Sequence, residues 1–243
     1  MPTDPPDDDA IRRKLERWLA QDPDPAIPWR PSIWAQWLPI DDWLPTRLIA
    51  EATVRREDLR ELGNRVALED DPEVAAGFIT ATCAWGSGVG QRINGRMLGD
   101  PRGPWRAAHA LGMVGDPGTA RRQPTAEPLT DRVRRIRECV LTVRRDGPSA
   151  AYTAMLTRSG RLPGWAESYF TKLLYAGGYG HGSEPWPLVC DRRVRSAMAS
   201  DDIQRPLGRH RRGYEQWIRQ AHEWASKWSV SPEQVEFAVF RHG

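Results

Sequence analysis

Tyr214, Trp217, Ile218, Ala221, Trp224, Ala225 and Trp228 recur at the spacing of one helix face. A stripe carrying three tryptophans is too apolar to leave in water, so the rest of the chain has to cover it. The same period returns at Ile11, Leu15, Trp18 and Leu19, and at Val133, Ile136, Val140 and Val143. No region alternates with the period of a strand, and no internal repeat is present. The chain is expected to be all-α, its helices cut by Pro/Gly loops.

Local signals set the expected boundaries. A helical pattern covers Thr46–Glu69, and another opens at Asp71, where Asp-Pro-Glu supplies a cap, an N1 proline and an acid in the first turn. Residues 99–130, rich in Gly, Pro and Arg, read as irregular. Ser149 is expected to cap a helix reaching Arg158. Further helices are expected over Trp165–Ala176 and, opened by Asp191, over Arg192–Ala199. Ser231-Pro232-Glu233-Gln234 is a capping box with proline at N1, starting a last helix through Phe240. Residues 1–45 hold a Pro/Trp-rich segment, too apolar for a linker, that should wrap another surface.

A chain of 243 residues is long enough for a sizeable core in one domain or two closely packed lobes. No apolar run approaches the roughly 18 residues that span a bilayer. The start, "MPTDPPDDDA", is acidic and proline-rich, unlike a secretory signal. Three scattered cysteines fit neither a disulfide framework nor a metal or iron–sulfur site. A cytoplasmic monomer with no metal and no cofactor is the expectation.

Net charge is only +3, but its distribution is uneven. Eight arginines face four acids between Asp191 and His222, and six more lie in Asp131–Asp146. These clusters are either a phosphate-facing surface or solvated helix faces.

Among 35 basic side chains only Lys14, Lys172 and Lys227 are lysines. Lys172 lies within the apolar helix pattern Phe170–Tyr175. Burial disfavours the ammonium form of a lysine, and a neutral amine can attack carbon and form a Schiff base, which arginine cannot. Asp191, at a helix start, faces free backbone amides that favour its anion. An anion and an amine nucleophile are what cleavage of a glycosidic bond requires. A snorkelling lysine and a simple cap are the alternative readings of these two residues.

Thr171-Lys172, the Gly/Pro loop "GGYGHGSEPWP" and Leu188-Val189-Cys190-Asp191 together resemble the helix-hairpin-helix DNA glycosylases, most closely their 8-oxoguanine DNA glycosylase branch. The match covers Arg132–Met198, so residues 132–200 would be the hairpin and catalytic region and 213–243 the C-terminal helices of one domain. The resemblance implies two helical lobes with a cleft between them, Lys172 as nucleophile and Asp191 as electrostatic partner. It implies a duplex DNA substrate with a modified or damaged base, base flipping and AP-lyase activity, in a nucleoid-associated enzyme of repair or of defence against foreign DNA. A non-catalytic helical DNA-binding protein and an interaction module built on the N-terminal tryptophans are the competing functions.

The family's hairpin reads Leu-Pro-Gly-x-Gly shortly before Thr-Lys. Here Leu162-Pro163-Gly164 stands without the second glycine, leaving Gly164 and the next helix start for phosphate contact. In the same branch a polar residue and a phenylalanine one turn apart enter the base pocket from the last helix. Glu236 and Phe240 have that spacing, with a carboxylate in place of an amide, and ordinary helix packing is the alternative. The loop "AWGSGVGQRINGRML" either inserts Arg92 or Asn94 into the gap left by the flipped base or is packed as a turn. His181 is a phosphate contact or an exposed loop residue, and Arg192 and Arg193 extend the DNA face. Cys190 is expected to be buried and inert.

Overall fold

The computed structural model describes residues 6–93, 96–114, 129–157 and 159–243, with backbone alone for 91–93 and 96–98. In chain order the N-terminal half contains α1 (Asp8–Leu19), β1 (Ile27–Pro28), α2 (Pro31–Trp34), α3 (Ile40–Trp43), α4 (Thr46–Glu51) and β2 (Thr53–Val54). Next come α5 (Arg56–Leu68), α6 (Pro72–Ser87), β3 (Gln91–Ile93), β4 (Arg96–Leu98) and α7 (Gly103–Ala110). The second half is α8 (Leu129–Asp146), α9 (Pro148–Leu156), α10 (Glu167–Gly178), α11 (Arg192–Met198), α12 (His210–Trp228) and α13 (Pro232–His242). The protein is all-α, with two short antiparallel pairs among the described residues, β1 with β2 and β3 with β4.

α10 is the central rod. Every residue from Tyr169 to Gly178 is buried, against α5, α6, α8 and α9. α5 crosses it closely at Gly63, where a Cβ would lie 2.5 Å from the Ala176 carbonyl oxygen, so only glycine permits this approach. A second group forms around α13, which packs on α1, α11 and α12. The stripe on α12 is wholly buried from Tyr214 to Trp228, as its period requires. The α8 stripe Val133, Ile136, Val140 and Val143 is buried too.

The Pro/Trp-rich segment contributes side chains to the protein's own core. Trp29, Trp34 and Trp43 are buried. Trp29 Nε1 donates to Leu48 O, and Ile27 pairs with Val54. These indoles are therefore spent internally, which removes them as an exposed recognition platform.

Several boundaries differ from expectation. The pattern over 46–69 is broken at Ala52, in the left-handed region with φ 52°, so α4 and α5 are separate helices joined through β2. Gly147, with φ 84°, occupies the cap position of α9, and Ser149 lies inside that helix, behind Pro148 at N1. α7 stands within a stretch read as irregular. Asp71, Asp191 and Ser231 cap α6, α11 and α13 as expected, each accepting from a backbone amide one turn in.

Candidate active site

Lys172 projects from the middle of α10 toward α6 and is 7 % exposed. Its stem passes over Gly86, where a Cβ would lie 3.0 and 3.1 Å from Lys172 Cδ and Cε. The Gly in "AWGSG" is thus a slot for the lysine. Nζ donates to Ser168 O at 2.7 Å, lies 3.6 Å from Asp191 Oδ2 and sits 5.7 Å from the centre of the Tyr169 ring. Tyr169 Oη shares a hydrogen bond with Ser87 Oγ, and burial pushes its phenol well above the ordinary range.

Asp191 divides its two oxygens. Oδ1 accepts from the Arg193 and Val194 amides and caps α11, while Oδ2 faces the lysine. Thr171 registers the two segments. Its Oγ1 donates to Glu167 O and accepts from the Cys190 amide, so the residue beside the lysine holds the residue beside the aspartate. The interval of nineteen residues is closed by that bond, which gives the Thr-Lys…Asp pattern a mechanical reason.

Lys172, Asp191, Glu236 and Phe240 line one cavity of about 100 Å³. It lies between the α10 group and the α13 group, and its other walls are Pro23, Pro25, Ile27, Arg56, Trp85, Gly86, Val189 and Phe237. Glu236 is buried and ion-paired, its Oε2 accepting from Arg56 Nη1 at 2.6 Å. Burial pushes the Glu236 carboxyl up, with Arg56 opposing. Burial also works against the Arg56 charge, but Glu236 outweighs it and holds the guanidinium protonated. That guanidinium lies 5.1 Å from the Trp85 ring centre and 4.9 Å from that of Tyr175. Phe240 is half-buried, with the Arg193 guanidinium 4.4 Å from its ring centre.

The other sequence-derived candidates are dispersed. Gly164 has φ 73°, its carbonyl accepts from Arg106 Nη1, and a Cβ would lie 2.9 Å from His109, so it is a corner packed on α7. His181 bonds through Nε2 to Asn64 Oδ1 and is not part of the cavity lining. Arg192 and Arg193 are exposed at the start of α11. Arg92 has only its backbone described, in β3, and Asn94 lies outside the described residues. Cys190 is fully buried, which raises its thiol pKa far above the ordinary range.

Sequence reasoning missed Arg56 and the Pro23–Pro25 wall. Nothing local in "TVRREDL" separates Arg56 from its neighbours, because its partner is 180 residues away. Asp24 fixes the wall: its carboxylate accepts from the Arg56 and Glu57 amides and so caps α5 from 32 residues away. An aspartate between two prolines was the available signal, since such a residue is a ready amide acceptor.

Among the described residues no group of His, Cys, Asp and Glu side chains is arranged to hold a metal ion, and no helix is long and apolar enough to cross a membrane. A comparison with curated proteins finds no match, and one with solved structures finds none either. The profile of the family described as "Putative 8-oxoguanine DNA glycosylase OGG-like protein" matches residues 21–240. With nearly the whole chain matched, including every residue that lines the cavity, this protein belongs to that OGG-like family.

Proposed function

We propose that the protein is a DNA glycosylase that flips a modified base out of duplex DNA and excises it through Lys172, with AP-lyase activity following. The observation that carries this reading is the pairing of the buried Lys172 with Asp191, 3.6 Å apart in one cavity with Trp85 and Phe240. Such an enzyme has to extrude its target base and hold it between apolar and aromatic walls. Family membership makes an oxidised guanine the first base to try.

Chemistry follows from the carboxylate and the amine. As the glycosidic bond breaks, its electron pair leaves with the base, and positive charge develops on the sugar. The Asp191 carboxylate, fixed by its cap hydrogen bonds, stabilises that charge without having to reorganise. The neutral Lys172 amine forms a bond to C1′ as the base departs, and the proton its nitrogen then sheds goes to the departing base. Ring opening yields a Schiff base. Loss of a C2′ proton then expels the 3′ phosphate oxygen and nicks the strand.

In this form the cavity of about 100 Å³ is well below the roughly 300 Å³ of the smallest ordinary ligand pockets. Entry of a base therefore requires a wall to move, and the exposed Pro25 and the half-buried Phe240 are the least encumbered parts. Phosphate contacts are assigned to Arg192, Arg193 and the Gly164 corner before α10.

Borohydride trapping on a duplex containing an abasic site tests this reading. Wild-type protein should become covalently attached, and Lys172→Gln should not, with DNA affinity little changed because the phosphate contacts lie on other residues. Trapping by the Gln variant would remove Lys172 from the mechanism. DNA binding with no trapping by the wild type would leave a non-catalytic helical DNA-binding protein instead.

A further inference from the structure

The Lys172 amine has neighbours on three sides, and they are not equivalent. Nζ donates to Ser168 O at 2.7 Å, and the centre of the Tyr169 ring lies 5.7 Å away. Asp191 Oδ2, at 3.6 Å, is the third. Asp191 lines the cavity, whereas neither Ser168 nor Tyr169 does. Tyr169 is buried, and its hydroxyl meets Ser87 Oγ at 3.1 Å and Asp100 Oδ2 at 3.5 Å. Asp100 is fixed in turn: its amide donates to Ser87 O, and its carboxylate accepts from Arg106 Nε and the Arg102 amide. Arg106 also donates to Gly164 O, and its guanidinium lies 5.0 Å from the Tyr169 ring centre. A phenylalanine would fill the same space without burying a hydroxyl that needs partners. The tie to the end of α6 and to the segment after β4 holds the ring in place beside the amine.

We propose that Tyr169 is a positioning residue for the nucleophile. With the Ser168 carbonyl it engages the two hydrogens of the neutral Lys172 amine and so turns the nitrogen lone pair toward the cavity. This inference rests on the glycosylase reading and adds to it the group that aims the amine. A carbonyl oxygen accepts an N–H directly, and the negative face of an aromatic ring attracts one more weakly. A tetrahedral amine with both hydrogens engaged has one direction left, the side on which Asp191 stands. That side is where the sugar has to lie if Oδ2 is to stabilise its developing charge. The lone pair then forms the bond to C1′ while the glycosidic electron pair leaves with the base. The proton that the nitrogen sheds goes to the base. The Gly86 slot fixes the stem of the lysine, but a fixed stem still leaves rotation about Cε–Nζ. Attack needs alignment as well as proximity, so the ring acts on the rate of bond formation and not on DNA binding.

The experiment measures the single-turnover rate of borohydride trapping on an abasic duplex, with duplex affinity and melting temperature recorded for each variant. Tyr169→Phe keeps the ring and should trap at close to the wild-type rate. Replacing Tyr169 instead by phenylalanines of increasing ring fluorination strips the negative face at nearly constant shape. The trapping rate should fall stepwise along that series, by about tenfold at its end, while affinity and melting temperature stay level. Tyr169→Leu, which offers no ring face, should trap as slowly as the most fluorinated protein. A residue that only fills space predicts a flat series, and a flat series overturns the proposal. So does a Tyr169→Leu protein that traps as fast as Tyr169→Phe. The fluorinated series decides the matter even if the Leu variant fails to fold. Wild-type trapping with a flat series leaves the glycosylase reading standing, whereas no trapping by the wild type overturns both.

Discussion

At the scale of single residues, Asp191 performs two tasks with two oxygens, and a substitution can separate them. Asparagine keeps a carbonyl oxygen for the Arg193 and Val194 amides and is as good an N-cap as aspartate, so α11 should remain intact in Asp191→Asn. What changes is Oδ2: an amide that carries no charge now faces Lys172. If the carboxylate is needed most as charge develops on the sugar, excision should fall by on the order of 10²-fold or more. The melting temperature should stay near that of the wild type. Excision has to be followed in single turnover, because slow product release would mask a loss in chemistry. An Asn variant that excises at the wild-type rate would reduce Asp191 to a cap. Lys172 is judged by the same logic: its slot over Gly86 and its tie to Ser168 O fix where the amine stands, which a surface lysine would not need.

At the scale of elements, the cavity depends on a segment distant in sequence, and Asp24 is the joint. By capping α5 it holds Pro23 and Pro25 against the cavity and sets the start of the helix that carries Arg56. Asp24→Ala should cost roughly 1 kcal/mol, the usual value of an N-cap, and lower the melting temperature by about 2–4 °C. Excision of a base should suffer more than trapping on an abasic site, because the wall faces the base. An unchanged melting temperature would show that the α5 amides find another acceptor. This joint also marks where legibility in the sequence ends. Thr171, Lys172, Asp191 and the capping box at Ser231 could be read because their signals are local or have a fixed interval along the chain. The stripes of α8 and α12 were legible for the same reason, each being a period within one helix. Arg56 and Asp24 were not, since a contact across 180 or 32 residues leaves no periodic trace. The break at Ala52 was hidden too: the helical pattern continues on both sides, and the pairing of β1 with β2 overrides it. Glu236 was legible as a position but not as an ion pair, for its partner was the missing residue.

At the scale of the whole molecule, the question is which of the many arginines meet DNA, and burial removes a good part of them. Arg144 donates to Gly177 O and Asn64, Arg195 to Glu167 and Gly208 O, and Arg106 to Asp100 and Gly164 O. Arg132 is buried in α8. These are internal staples, so the cluster over Asp131–Asp146 contributes less cationic surface than its count suggests. The segment after Asp191 is different. Arg192, Arg193, Arg209, Arg211 and Arg212 are exposed, and the bond from Arg195 to Gly208 O draws the start of α12 toward α11. As a DNA-facing surface they would start at Arg193, which lies over the Phe240 ring of the cavity, and run to the start of α12, where Arg211 is paired with Glu215. Each phosphate neutralised by such a side chain releases counterions and steepens the salt dependence of binding, by a log–log slope of about −0.9 per contact. Five contacts set a ceiling near −4 to −5 for this surface. Duplex affinity measured across a salt series should fall with a slope approaching that value. Arg211→Gln combined with Arg212→Gln should make the slope shallower by about 2 while leaving the preference among bases unchanged, since phosphate contacts position the protein without reading sequence. A double variant with the wild-type slope would move the DNA face away from α11 and α12. A wild-type affinity that is flat with salt would take away the electrostatic basis for DNA binding altogether.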